Sequence, residues 1–324
     1  MRFLLPAVLA AALGGCTASS KMDVLDIAPS GETVSSITAP APPAPVGEGA
    51  PVTALAGSTP ESPARSALFP PEVLPKEEVA FVAPSGAIRS AVSRIHPPRF
   101  SDAKPVSFGR VTPRHFAVHG VDVSRWQGDI DWHTLRKQGA NFAWIKATEG
   151  VDHVDDAFRR NWIEAKRAGV PRGAYHFFYW CRTARDQAKW FIRNVPKEAG
   201  ALPPVLDVEW NSHSRTCKHR PDKSDILEKM QVFLDALERH YGQRPIIYTS
   251  PDFYRDNLQG RFRDYPFWLR AVAEHPQKVY PGRDWVFWQY SGTGRAKGVS
   301  THIDLNVFNG TERDWHEWLS RRVR

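Results

Sequence analysis

The large aromatic side chains are confined to one part of this 324-residue chain. All 12 tryptophans lie at or beyond Trp126 and all 8 tyrosines at or beyond Tyr175, whereas 16 of the 27 prolines fall at or before Pro105. A core can be packed only where such side chains are, so the folded body must come from the last two-thirds. Charge divides at the same place. Residues 21–105 hold 7 basic and 9 acidic side chains (−2), and residues 106–324 hold 35 and 26 (+9). The folded part is the basic part, and its field favours anionic partners over long distances. With 42% hydrophobic and 24% charged residues, the chain is neither wholly disordered nor collagen-like.

The N-terminus reads as an address. Arg2 precedes an apolar stretch from Phe3 to Leu13, too short for the roughly 20 residues a membrane-spanning helix needs and suited to the apolar region of a signal peptide. Leu13-Gly14-Gly15-Cys16 resembles a bacterial lipobox. The resemblance implies cleavage after residue 15 and a lipid anchor at Cys16, since several acyl chains hold a protein stably where one is marginal. Thr17, rather than Asp, follows the cysteine, which points to an outer-membrane lipoprotein facing the periplasm. An ordinary secretory signal with a chance cysteine is the plainer alternative. Residues 16–105 read as a disordered linker rich in Pro, Ala and Ser, with Ala39-Pro40-Ala41-Pro42-Pro43-Ala44-Pro45 favouring polyproline II.

From residue 106 the pattern changes to short apolar runs alternating with amphipathic segments. Strands are expected at Phe116–Val123, Phe142–Ala147, Gly173–Phe178, Pro204–Trp210, Ile246–Thr249, Phe267–Val272, Val286–Tyr290 and His302–Val307. The first five each trail a helix, the longest being Ser224–Tyr241, with Ser224 as its cap and Gly242 as its stop. This order predicts an α/β fold: a parallel barrel of the TIM type whose last third has lost its helices. An open doubly wound sheet is the competitor, but no glycine-rich phosphate loop follows the first strand.

On that frame Asp122 ends strand one, Asp207 and Glu209 end strand four, and Asp304 lies in strand eight. Barrel enzymes carry their chemistry at the carboxyl ends of strands, and positions two apart on a strand share a face. Carboxyls that raise one another's pKa suit general acid catalysis at a glycosidic bond. From position alone, a glycosidase site and a metal-binding carboxylate cluster are both open. The barrel also places Cys181, just after strand three, beside Cys217, after strand four. Export permits oxidation of thiols, so a disulfide between them is expected, pinning the basic segment His213 to Lys223 near the acids.

Several motifs together resemble glycoside hydrolase family 25, the Chalaropsis-type lysozymes. They are His119-Gly120-Val121-Asp122-Val123-Ser124-Arg125-Trp126-Gln127-Gly128, Phe142 to Gly150, Gly173-Ala174-Tyr175-His176-Phe177, Leu206-Asp207-Val208-Glu209, Ile247-Tyr248-Thr249, Trp288-Gln289-Tyr290-Ser291 and Ile303 to Gly310. The resemblance covers about residues 116–320. It implies a flattened TIM-like barrel and an N-acetylmuramidase that cleaves the β-1,4 bond between N-acetylmuramic acid and N-acetylglucosamine in peptidoglycan. Glu209 would be the general acid, Asp207 its partner, and Asp122 and Asp304 the flanking acids. Tyr175, Tyr248, Trp288 and Tyr290 match family aromatics that would stack on or hydrogen-bond sugar; packing in the barrel core is the plainer alternative, and for Trp288 the two readings weigh equally. The family's cleavage is argued to proceed either through the substrate's own N-acetyl group or by inversion with an activated water, and both stay open here. Many relatives carry a small residue where this chain has Arg270, which would add a cation near the acids if it points inward.

Other residues carry plainer roles. Glu149 is expected to bond Lys146 or a loop, and His176 to be a satisfied interior histidine. A zinc site at Cys181, His213, Cys217 and His219 fits no standard spacing, so no metal and no cofactor is expected. The +9 charge is dispersed and the chain is read as exported, which argues against nucleic acid. Peptidoglycan is the expected partner, the membrane is met through the lipid anchor, and the enzyme is expected to act as a monomer. The alternative function is a non-catalytic lipoprotein that binds peptidoglycan and tethers the envelope to the wall.

Overall fold

The computed structural model describes residues 94–322. The signal segment 1–15, Cys16 and the linker up to residue 93 lie outside the described residues. A ten-stranded sheet organises the rest, and eight of its strands close a barrel. They are β1 (His119–Val123), β2 (Ala143–Glu149), β3 (Arg172–Phe177), β4 (Val205–Val208), β5 (Ile246–Thr249), β6 (Phe267–Arg270), β7 (Phe287–Arg295) and β8 (Ile303–Phe308). The six junctions from β1 through β7 are parallel. The barrel is not parallel throughout, however: β8 runs antiparallel to both β7 and β1. The short connections explain this. Only residues 296–302 separate β7 from β8, and a parallel return would need a crossover of a dozen residues or more.

Helices α1 (Trp132–Lys137), α2 (Phe158–Arg167), α3 (Ala184–Asn194) and α4 (Lys223–Tyr241) follow the first four strands. Asp131 caps α1 by accepting from the Thr134 amide at 3.0 Å, and Thr183 caps α3 by accepting from the Asp186 amide at 3.2 Å. The cap of α4 is Asp222 rather than Ser224, which sits inside its first turn. Ile226, Met230, Phe233, Leu234 and Leu237 line its buried face at the helical period. Gly242 ends it in the left-handed region at φ 70°. After β5 there is no full helix. Pro251–Phe253 and the turn Tyr254–Leu258 are all that forms before Gly260, at φ 73°, stops the run.

Side chains alternate across the barrel wall. One set packs outward against the helices, and the other fills the lumen. Trp144 of β2 meets Trp268 of β6 at 5.7 Å between ring centroids, and Phe142 meets Phe287 of β7 at 5.0 Å; these strands are not neighbours, so the rings meet across the interior. Two inward positions are glycines because those rings occupy the space. A Cβ on Gly173 would lie 2.1 Å from the Trp144 ring, and one on Gly120 2.5 Å from Phe142. A last helix, α5 (Glu312–Arg322), closes the amino-terminal end of the barrel with Trp315, packed on Phe142 and Phe308.

The expected linker boundary at residue 105 falls inside the folded body. Asn141 accepts from the His96 amide at 2.8 Å and donates to the His96 carbonyl at 2.9 Å. The Arg99 amide donates to the Gln138 carbonyl, and Ser101–Asp102 pairs with β7. Composition alone hid this segment, because it attaches by backbone bonds rather than by an apolar period.

Candidate active site

The four acids converge at the carboxyl end of the barrel. Asp122 lies in β1 and is 4% exposed. Its Oδ1 accepts from Gln289 Nε2 at 2.9 Å and from Asn306 Nδ2 at 2.7 Å. Both amides are fixed in turn: Tyr248 OH donates to Gln289 Oε1 at 2.8 Å, and Trp268 Nε1 donates to Asn306 Oδ1 at 2.8 Å. Asp304 stands directly opposite Asp122 in the β8–β1 register. It is the second residue of β8, so the reversed direction of that strand is what brings it to this end.

Asp207 lies in β4 and Glu209 follows immediately after it. Asp207 is 6% exposed, and its Oδ1 is buried without a hydrogen-bond partner. Glu209 is half-buried at the mouth. Its backbone carbonyl accepts from Trp180 Nε1 at 2.7 Å, and the Trp180 ring stacks on Phe253 at 4.9 Å. The general-acid candidate therefore hangs from a rigid aromatic support.

Burial dominates the titration of all four acids. Asp122 is pushed up to about 6, opposed by the two amide hydrogen bonds. Asp304 is driven well above the carboxylate range by burial and by the Asp122 charge beside it. Asp207 rises through burial and then through repulsion from Glu209. Glu209 also rises through burial, opposed first by Arg270. The Asp207–Glu209 pair thus retains a proton at a pH where isolated carboxyls are ionised, the condition for general acid chemistry.

Arg270 points into the site from β6, within Coulombic range of Tyr248, Glu209 and Asp304. Lys146 enters from β2 and pairs with Glu149 at 2.5 Å, and Glu149 also accepts from Tyr179 OH at 2.8 Å. Tyr175 and Tyr248 face the lumen beside the acids, with burial and nearby carboxylates holding both phenols protonated. Trp288 and Tyr290 do not face the cleft. They take the outward parity of β7, where Trp288 is fully buried and donates to the Ala271 carbonyl at 2.8 Å. Tyr290 OH meets His119 Nδ1 at 3.3 Å in the same outer layer. The residue of that motif facing the acids is Gln289, which the sequence reading passed over together with Asn306 and Trp268. Strand parity was the available signal: a β7 that buries Phe287 in the lumen also turns Gln289 inward.

His176 is interior, bonded to Thr148 Oγ1 at 2.7 Å and to Gln187 Oε1 at 3.1 Å. Cys181 and Cys217 are joined in a disulfide with Cα atoms 5.4 Å apart, which removes both sulfurs from any zinc site. Among the described residues no group of three or more His, Cys, Asp or Glu side chains is arranged to hold a metal ion.

An α/β barrel with a ring of buried carboxyls at the carboxyl ends of its strands is built as a barrel glycoside hydrolase. Residues 121–299 match the family model described as glycosyl hydrolases family 25, and the chain belongs to that family. It is a glycosidase. It is 39% identical over 223 residues, 66% of this chain and 78% of the relative, to a protein of Escherichia coli O157:H7 named YegX. It is also 35% identical over 206 residues, 60% of this chain and 68% of the relative, to lysozyme M1 of Streptomyces globisporus. A family 25 glycosyl hydrolase from Bacillus anthracis superposes with TM-score 0.59 at 36% identity, covering 67% of this chain and 98% of that one.

Proposed function

We propose that this chain is a lysozyme of the N-acetylmuramidase type, cleaving the β-1,4 bond between N-acetylmuramic acid and N-acetylglucosamine in peptidoglycan. The observation that carries the reading is the Asp207–Glu209 pair at the carboxyl end of β4, one carboxyl buried and the other half-buried at the mouth of a barrel of this family. Glu209 is the member at the mouth and delivers the shared proton to the glycosidic oxygen as the leaving group departs. Asp207, with a buried oxygen free of hydrogen bonds, faces the positive charge that develops on the sugar ring. Asp122, held by two amides and by Asp304, extends the negative floor. Tyr175 and Tyr248 form the sugar-facing wall with Trp268 behind them. The ring of four acids supports a catalyst over a tethering lipoprotein, because a pure binding module gains nothing from burying acids that raise one another's pKa.

Mass analysis of fragments released from purified peptidoglycan tests the bond. Muramic-acid reducing ends are expected; N-acetylglucosamine reducing ends or anhydro ends would overturn the assignment. Glu209→Gln should remain folded and bind peptidoglycan while turnover falls by about 10²–10⁴. Near-normal turnover would remove Glu209 from its role.

The same proposal includes export and anchoring through Cys16, supported by the placement of Leu13-Gly14-Gly15-Cys16 at the end of the apolar run. Mature protein should partition into the detergent phase, and Cys16→Ser into the aqueous phase. Wild-type protein found wholly in the aqueous phase would refute the anchor.

A further inference from the structure

The segment after the general-acid candidate is a built platform. Asn211 is 6% exposed and pins its base, accepting from the Trp180 amide at 3.1 Å and donating to the Phe178 carbonyl at 3.1 Å. Ser214 Oγ accepts from the Cys217 amide at 3.0 Å, and the Cys181–Cys217 bond fixes the far side to the loop after β3. Arg220 folds back over the ring of Trp210, the residue next to Glu209, at 4.5 Å. Trp210 is itself tied to Asp256 through its indole N–H at 2.8 Å.

What the platform displays is positive charge. Residues 211–223 hold Arg215, Lys218, Arg220 and Lys223 against Asp222 alone, a sum of +3. All four cations are exposed, and among the described residues none of them takes part in an ion pair. Elsewhere on the domain Arg160, Arg172 and Arg244 have acidic partners. A rigid, unpaired cationic loop one residue beyond the acid that meets the glycosidic bond is poised for anions carried by the substrate.

We propose that the loop 211–223 is a specificity subsite that binds the carboxylates of the peptide stems on the glycan strand. This rests on the reading of the site as a peptidoglycan glycosidase and names which form of the polymer it prefers. The glycan backbone between stems is neutral, so the stems supply the anions the loop can hold. The disulfide makes the loop a fixed surface, so less ordering is needed when substrate binds.

The test uses soluble glycan strands with intact stems, and the same strands with stem carboxyls converted to methyl esters. Wild-type enzyme should show a KM about 3- to 10-fold lower on the native strands, the range a few exposed ion pairs support, and the gap should narrow with added salt. Arg215→Gln/Lys218→Gln/Lys223→Gln should lose most of the gap between native and esterified strands, keeping only what Arg220 supplies. Cys181→Ser/Cys217→Ser, which frees the loop without removing charge, should lose part of the gap. Binding of both strands to Glu209→Gln is measured in parallel, so the comparison does not depend on cleavage. Equal KM and equal binding on the two substrates for wild type, or a triple variant that keeps the gap, would overturn the stem subsite. Absence of cleavage of either strand by wild type would instead overturn the glycosidase reading, with the binding ratio still deciding the subsite.

Discussion

At the scale of residues, the site is decided by which side chains turn inward. The acids were readable because each stands in an apolar run, where a carboxyl is conspicuous. Their supports were not. Gln289 and Asn306 are polar residues of ordinary appearance, whereas the family resemblance puts Trp288 and Tyr290 among the sugar-binding aromatics. The pleat decides otherwise: neighbours in one strand point to opposite faces, so Trp288 and Gln289 cannot both see the cleft. Two substitutions separate the roles. Gln289→Leu removes one of two amide donors to Asp122 and the acceptor of Tyr248 OH. It should lower kcat/KM roughly 10- to 100-fold, since hydrogen bonds to a charged group contribute about 1.5–3 kcal/mol. Trp288→Phe should instead lower stability by about 1–3 kcal/mol through a packing gap and the unpaired Ala271 carbonyl, with kcat/KM near wild type. Steady-state kinetics and thermal unfolding on both variants check the pair. The reverse pattern would return Trp288 to the cleft.

At the scale of elements, order along the chain was legible and direction was not. Apolar runs of four to nine residues announce strands, and the α4 periodicity announces its helix, but neither says which way a strand runs. In an all-parallel barrel Asp304, second in its strand, would lie at the amino-terminal end beside Trp315 and far from Glu209. The antiparallel β8 places it opposite Asp122. The Cys181–Cys217 bond follows from element placement of another kind, since β3 and β4 are parallel neighbours and the loops leaving them emerge side by side. The bond spans 36 positions of sequence, for which unfolded-chain entropy gives about 3–4 kcal/mol at most. Cys181→Ser/Cys217→Ser should therefore lower the midpoint of denaturant unfolding by an amount within that limit. Thiol titration of unreduced, denatured wild type should find neither cysteine reactive. Two reactive thiols at these positions, or an unchanged midpoint, would remove the bond from the account.

At the scale of the whole molecule, buried titratable groups pull stability in opposite directions with pH. His119 and His176 are both lowered to about 4 by burial. A histidine lowered in the native state gives stability that is complete above its unfolded pKa, about 6.5, and is lost as pH falls toward 4. The acid ring has the other sign. Asp122 is raised to about 6, and Asp304 and Asp207 well above the carboxylate range. Native protein therefore binds more protons here than unfolded chain does, and this contribution declines as pH rises above about 4. That is the energetic cost of keeping a proton available for catalysis near neutrality. Asp304→Asn isolates the effect. The amide can still donate to Asp122, but it no longer binds a proton, so one source of the decline disappears. Relative to wild type, the variant's Tm should rise progressively between pH 4 and pH 7, with activity reduced because the floor of the site has lost a carboxyl. Thermal unfolding of both proteins across that range decides it. A Tm difference that stays constant with pH would mean that Asp304 titrates as an ordinary surface carboxyl, and its raised affinity for a proton beside Asp122 would have to be given up.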